Sequence, residues 1–281
     1  MARRDRKPSR NRVKKRGARR DRRGSNNTLW WGVVGASVFL IIGVLAVSQS
    51  LVSQKAIDEH TLCHSSGPTN ATVILLDVTD PLNGTQQARL RTIINNEIAV
   101  SDIDTLISMG VVSEYPDRWG AMFSKCKPAT GADANSLYEN PTLIAERYNR
   151  EFLRPVGEKI DTTLSSAKEN QSPIMEALQA LIAGSPDFSN VQGRRKIIVV
   201  SDMLQHSENL SFYRGQGWEY FVTQDGEKRF AESLANAEIE IVRIPRVGGN
   251  IPPDQLVEGF WTRYFDRQGS RPPSVSSLGD L

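Results

Sequence analysis

Ala71-Thr-Val-Ile-Leu-Leu-Asp-Val-Thr-Asp-Pro-Leu-Asn83 is the stretch whose reading decides the fold. Four apolar residues, Val73 to Leu76, run without interruption into Asp77-Val78-Thr79-Asp80. An unbroken apolar run of this length fits a strand buried on both faces of a parallel sheet. A buried strand that ends in carboxylates and a hydroxyl delivers them to the C-terminal edge of the sheet, where open α/β sheets place their sites. Lys196 to Asp202, KIIVVSD, repeats the pattern: an apolar run that ends in a carboxylate.

Between and after these two runs the periodicity alternates between helix and strand. After the turn Pro81-Leu82-Asn83-Gly84, a helix is expected over 85–100, with Leu90, Ile93, Ile94 and Ile98 at helical spacing. Asp104–Ser113 reads as a second strand. Trp119–Cys126 reads as a third, joined by a link short enough to make the pair antiparallel. A long helix starts at Pro141 with a break near Pro155, since proline inside a helix removes a hydrogen bond. Pro173–Ala183 is a further helix with Ser172 at its N-cap. Past Asp202 come an aromatic-bearing insertion over 203–224, a short helix over Glu227–Ala237, a strand over Ala237–Pro245 and an amphipathic helix over Asp254–Gln268. Strands alternating with helices predict an α/β fold: a mostly parallel sheet, Rossmann-like, with helices on both faces and one antiparallel strand near an edge.

N-terminal to this domain the composition changes sharply. Residues 1–27 hold 13 Lys/Arg and 2 Asp/Glu, leaving 22 basic and 30 acidic residues of the chain's 35 and 32 for the remainder. The body is therefore mildly acidic, which argues against nucleic-acid binding by the globular part. The basic leader reads as a disordered tail. From Leu29 to Gln54 there is no charged residue, and a run of roughly 20 apolar residues spans a bilayer core. We expect one transmembrane helix over 28–51, with Trp30 and Trp31 at its interface, in preference to a cleaved signal peptide or a buried core helix. The positive-inside rule puts 1–27 in the cytoplasm and the acidic domain outside, the layout of a single-pass bacterial inner-membrane protein with a periplasmic domain. Residues 52–70 read as a linker, 71–268 as the domain and 269–281 as a flexible tail.

Cys63 and Cys126 fall in the exported part. An oxidising compartment makes a disulfide between them plausible, the alternative being two separate small hydrophobes. Cys63 lies in His60-Thr-Leu-Cys63-His64, which is not a haem-attachment pattern and lacks the remaining ligands of a zinc site.

Three sheet-edge segments carry the candidate site: Asp77, Thr79 and Asp80 after the first strand, Ser172 before its helix, and Asp202 after the later strand. Hydroxyls and carboxylates gathered at one edge suit a hard divalent cation such as Mg²⁺. Here the pattern resembles the von Willebrand factor A-like family, whose metal-ion-dependent adhesion site is written Asp-x-Ser-x-Ser with a Thr on a later loop and an Asp after the fourth strand. Asp77 matches the first position, Thr79 the first hydroxyl, Ser172 the later Thr and Asp202 the later Asp. Pro81 replaces the second hydroxyl, and Met203 stands where Gly is common. The resemblance implies a non-enzymatic interaction module that binds another membrane or periplasmic protein, with Mg²⁺ as cofactor through a degenerate site. Trp218, Tyr220 and Phe221 are the candidate contacts, because aromatic residues are enriched at such anchors. Two other readings compete: a metal-free structural subunit of a membrane complex, and a hydrolase using Asp77 as nucleophile. The hydrolase reading has Thr79 where phosphatases of that type carry Asp, and no Gly-x-Ser-x-Gly elbow occurs.

Overall fold

The computed structural model describes residues 31, 33–45, 57–135, 139–165, 168–185, 187–230, 234, 236–246 and 251–279. Met1–Ser53 and Gln54–Leu281 are two separate compact units.

In the first unit, residues 33–45 form a helix (α1) whose side chains are mostly exposed. Among the described residues, no helix is long and apolar enough to cross a membrane. The rest of the span expected over 28–51, and the basic tail 1–27, lie outside the described residues.

The second unit is built on a six-stranded sheet: β1 (Asn70–Asp77), β2 (Thr105–Val112), β3 (Phe123–Cys126), β4 (Arg195–Ser201), β5 (Glu238–Arg243) and β6 (Ser274–Ser277). Their spatial order is β3-β2-β1-β4-β5-β6. All neighbours are parallel except β2 and β3, which pair antiparallel as the short link requires. The chain moves outward from β1 through β2 and β3, then returns to place β4 on the other side of β1. That reversal leaves a crevice beyond the C-terminal ends of β1 and β4.

Alternation along the central strands sorts their side chains onto two faces. Val73, Leu75, Ile197 and Val199 join one core cluster, and Ile74, Leu76, Ile198 and Val200 join the other. The first face is covered by α5 (Ile174–Ala183) and α8 (Asp254–Arg267), which contribute Leu178, Leu181, Phe260 and Trp261. The second is covered by α2 (Gly84–Val100) and α4 (Arg154–Leu164), through Leu90, Ile94, Ile98, Val156 and Ile160. Both faces are buried, which is why β1 and β4 read as continuous apolar runs.

Local chemistry explains where the elements differ from expectation. The long helix from Pro141 runs as α3 (Pro141–Tyr148), a π turn (Asn149–Leu153) and α4. Pro155 cannot donate a backbone hydrogen bond, and the ladder shifts register just before it, with the Arg154 amide donating to the Asn149 carbonyl. The third strand begins only at Phe123, because 116–118 form a 3₁₀ turn after Tyr115. The short helices α6 (Trp218–Thr223) and α7 (Gly226–Arg229) lie in and after the insertion; beyond Arg229 the helix expected to Ala237 does not continue through Phe230, and 231–233 and 235 lie outside the described residues.

Both ends of the domain are more ordered than a linker and a flexible tail. Ile57 and His64 pair in an antiparallel bridge, Leu62 is buried, and the Cys126 amide donates to the Thr61 carbonyl at 2.8 Å. Cys63 and Cys126 are joined by a disulfide, with Cα atoms 4.8 Å apart. At the other end, residues 274–277 are not tail but β6, held parallel to β5. Ser-Val-Ser-Ser carries no apolar signal because all four residues are exposed at the sheet edge.

Candidate functional site at the C-terminal rim of the sheet

Asp77 is the last residue of β1, and the β1–β4 register, Leu76 opposite Val200, brings the end of β4 beside it. Its carboxylate is 5% exposed and fully engaged. Oδ1 accepts the Thr79 hydroxyl at 2.7 Å and the Thr79 amide at 3.2 Å; Oδ2 accepts the Ser201 hydroxyl at 2.7 Å and the Ser172 hydroxyl at 2.9 Å. Four hydrogen bonds from three segments of the chain therefore close on one side chain.

Ser172 reaches Asp77 because its backbone is fixed from the opposite loop. Its amide and carbonyl exchange hydrogen bonds with those of His206, both at 2.9 Å. The expected N-cap role of Ser172 is overturned: its hydroxyl is committed to Asp77, and Pro173 occupies the N-cap of α5 without a side-chain bond. The cap comes instead from Gln205, whose Oε1 accepts the Met175 amide at 3.0 Å while its Nε2 donates to Glu176.

Asp202 is 6% exposed, and its Oδ1 accepts the Leu204 amide at 2.8 Å. Burial raises its pKa to about 6; the Asp77 charge adds to this, and Arg246 opposes it. Met203, next in the chain, takes a left-handed backbone with φ 66°. That conformation favours glycine. Here it is held by the Ser201 hydroxyl, which accepts the Met203 amide at 2.8 Å, and by Trp261, whose ring nitrogen donates to the Met203 carbonyl at 2.8 Å.

Asp80 departs from the cluster. It turns outward, with Oδ1 3.0 Å from Lys168 Nζ and Oδ2 paired with the Arg246 guanidinium. Arg246 also pairs through Nε with Asp202 Oδ2, so one guanidinium bridges Asp80 and Asp202. Burial works against the Arg246 charge, but Asp202, Tyr213 and the other two aspartates outweigh it and hold its pKa above the ordinary value.

These groups enclose a cavity of about 90 Å³, also lined by Pro81, Leu82, Gln86, Ile244 and Pro245. Gln86 is 3% exposed; its Oε1 accepts the Asn83 amide at 3.0 Å, leaving Nε2 without a protein partner.

A divalent cation needs open oxygen ligands in near-octahedral geometry. The donors here do not fit one in this arrangement. Both Asp77 oxygens are hydrogen-bonded by neighbouring hydroxyls, Pro81 offers no ligand side chain, and a positive guanidinium already lies across Asp80 and Asp202. Among the described residues, no group of three or more His, Cys, Asp or Glu side chains is arranged to hold a metal ion.

Of the residues expected from sequence, Asp77, Thr79, Ser172 and Asp202 converge, and Asp80 stands at the margin. Ser201, Gln86 and Arg246 belong to the site and carried no signal of their own. Phe221 is a correction. It is 3% exposed and packs against Phe260, Phe230 and Tyr264, with Trp218 and Tyr220 partly buried against the same core. Phe221 therefore belongs to the domain interior under α8, while Trp218 and Tyr220 keep part of their surface exposed beside it.

Beside the rim, an open cleft of about 1060 Å³ lies between the end of β2, residues 117–122 and α4. Ser113, Arg118, Trp119, Lys159 and Glu169 line it along with apolar residues. The Glu169 amide donates to the Thr79 carbonyl at 2.9 Å, so the cleft wall is hydrogen-bonded to the rim.

No family model matches the chain, and no curated protein matches it. Among solved structures it is similar to the SpRpn10 VWA domain, with 12% identity and a TM-score of 0.36 over 74% of this chain and 87% of that one. An aerotolerance-related membrane protein from Bacteroides fragilis gives 11% identity and 0.35 over 75% and 92%. BatB from Bacteroides thetaiotaomicron gives 14% identity and 0.34 over 74% and 90%.

Proposed function

We propose that this chain is a membrane-anchored, extracytoplasmic protein–protein interaction module of the von Willebrand factor A-like kind, presenting the C-terminal rim of its sheet to another membrane or periplasmic protein. The observation that carries the reading is the convergence of three chain segments on Asp77, which builds a closely hydrogen-bonded polar rim at the reversal of strand order, beside an open cleft of mixed charge. A hydrolase needs Asp77 free to attack, whereas both of its oxygens are held by hydroxyl groups. This counts against Asp77 as a nucleophile and supports a non-enzymatic role. Anchoring is supported by the exposed apolar side chains on 33–45, such as Phe39, Leu40, Ile41 and Ile42. The Cys63–Cys126 disulfide supports an oxidising compartment and hence the periplasmic side of a bacterial inner membrane.

Two forms of the module differ in cofactor. The Mg²⁺-dependent form requires Arg246 to leave the rim; the Arg246 bridge favours the metal-free form, a structural subunit of a membrane complex. Crosslinking from photoreactive residues at Lys159 and Arg118 in native membranes tests the reading. Capture of a discrete membrane or periplasmic protein from both positions supports it. Crosslinks to lipid alone would remove the rim and its cleft as a partner surface.

A further inference from the structure

We propose that Arg246 is the resident cation of the rim: its guanidinium takes the place a divalent ion would otherwise fill, so the chain itself offsets the charge of its carboxylates. This concerns only the charge balance of the site and holds whether or not the rim meets a partner.

The backbone delivers Arg246 to that place. Beyond β5 the chain stays extended, and the Ile244 amide donates to the Ser201 carbonyl at 2.9 Å, pinning the extension against the end of β4. Pro245, with its fixed φ, follows, and Arg246 comes next, directly over the rim. A planar guanidinium presents donors in a rigid fork that matches carboxylates. Here Nε faces Asp202 and Nη2 faces Asp80, while Nη1 reaches the Tyr213 hydroxyl at 3.4 Å.

The charges are partly offset: two cations face three carboxylates. Asp77, Asp80 and Asp202 meet at one edge, and removing a partner from a buried charge is costly. Arg246 inside and Lys168 on the outer oxygen of Asp80 supply the positive charge. A divalent ion added to both would leave the rim with excess positive charge, so entry of the ion and departure of Arg246 are coupled.

The test uses the full chain purified in detergent and titrated with Mn²⁺, read by calorimetry and by the resonance signal of free Mn²⁺. Wild type is expected to show no saturable binding at millimolar metal, and a melting temperature that neither Mn²⁺ nor chelator moves. Arg246→Gln is expected to melt lower and to gain a Mn²⁺ site at least about tenfold tighter than any in wild type. Mn²⁺ is then expected to raise its melting temperature, as binding to the folded state does. Adding Asp77→Asn should abolish the gained site, and Arg246→Lys should stay silent. Saturable one-site binding by wild type, as tight as in Arg246→Gln, would overturn the proposal. So would an Arg246→Gln protein that folds and takes up no metal. If Arg246→Gln does not fold, the wild-type titration decides alone: silence supports the assignment and one-site binding overturns it.

Discussion

Asp77 shows how much one side chain can organise. A buried carboxylate is tolerated when hydrogen bonds satisfy it, and here the satisfying groups are Thr79, Ser172 and Ser201, each from a different segment. Asp77→Ala strands three buried hydroxyls, and unsatisfied buried groups cost about 1–3 kcal/mol each before relaxation. We expect a net loss of ~2 kcal/mol in denaturant unfolding; an unchanged midpoint would mean the rim is not held together in this way. Lys196 offers a second test away from the rim. Its Nζ lies 2.5 Å from Glu97 and 2.8 Å from Glu240, with Glu97 also accepting the Thr72 hydroxyl. Burial opposes the lysine charge, but Glu240 and Glu97 outweigh it and raise its pKa. A lysine with a raised folded-state pKa stabilises fully below its unfolded value of about 10.4. That contribution disappears as pH climbs through the folded-state value. Stability should therefore fall above about pH 10.4, and Lys196→Met should flatten that part of the pH profile while destabilising the protein at neutral pH. An alkaline limb identical in the two proteins would contradict the pairing.

At the scale of elements, α8 and the insertion before it form one aromatic layer. Phe221 sits between Trp218, Phe260 and Tyr264, and truncating a buried aromatic costs about 3–5 kcal/mol. Phe221→Ala should lower stability by ~3 kcal/mol and behave as a folding mutant; normal stability with selective loss of partner capture would restore it as a contact residue. The Cys63–Cys126 bond closes a loop with a sequence separation of 63. The loop-entropy relation gives ~4 kcal/mol for a loop of that size. Cys63→Ser with Cys126→Ser should unfold at clearly lower denaturant than wild type, and reduction should have little further effect on that double variant. These elements were readable to different degrees. The amphipathic spacing of α2 and α8 announced both helices, whereas aromatic residues in a loop-like stretch looked like a surface until α8 was in place to cover them. β6 was invisible because an exposed edge strand needs no apolar residues, only a neighbour with free backbone groups.

For the whole molecule, the strand order places the reversal between β1 and β4, and with it the crevice. The expected topology adds that this crevice faces away from the cytoplasm. Protease added to intact spheroplasts should degrade residues 57–281 and spare an epitope placed in 1–27; protection of the domain instead would invert the orientation. What the sequence determined by itself was the layered α/β class, the antiparallel third strand, and the arrival of Asp77, Thr79 and Asp202 at strand ends. Apolar periodicity and strand–helix alternation are local properties, and they force a buried parallel sheet whatever the partner segments are. Only the tertiary structure decided that Ser201 bonds Asp77, that Gln205 rather than Ser172 caps α5, and that Arg246 bridges Asp80 and Asp202. Those contacts depend on the register of β4 and β5 against β1, a relation between distant segments that no window of sequence contains.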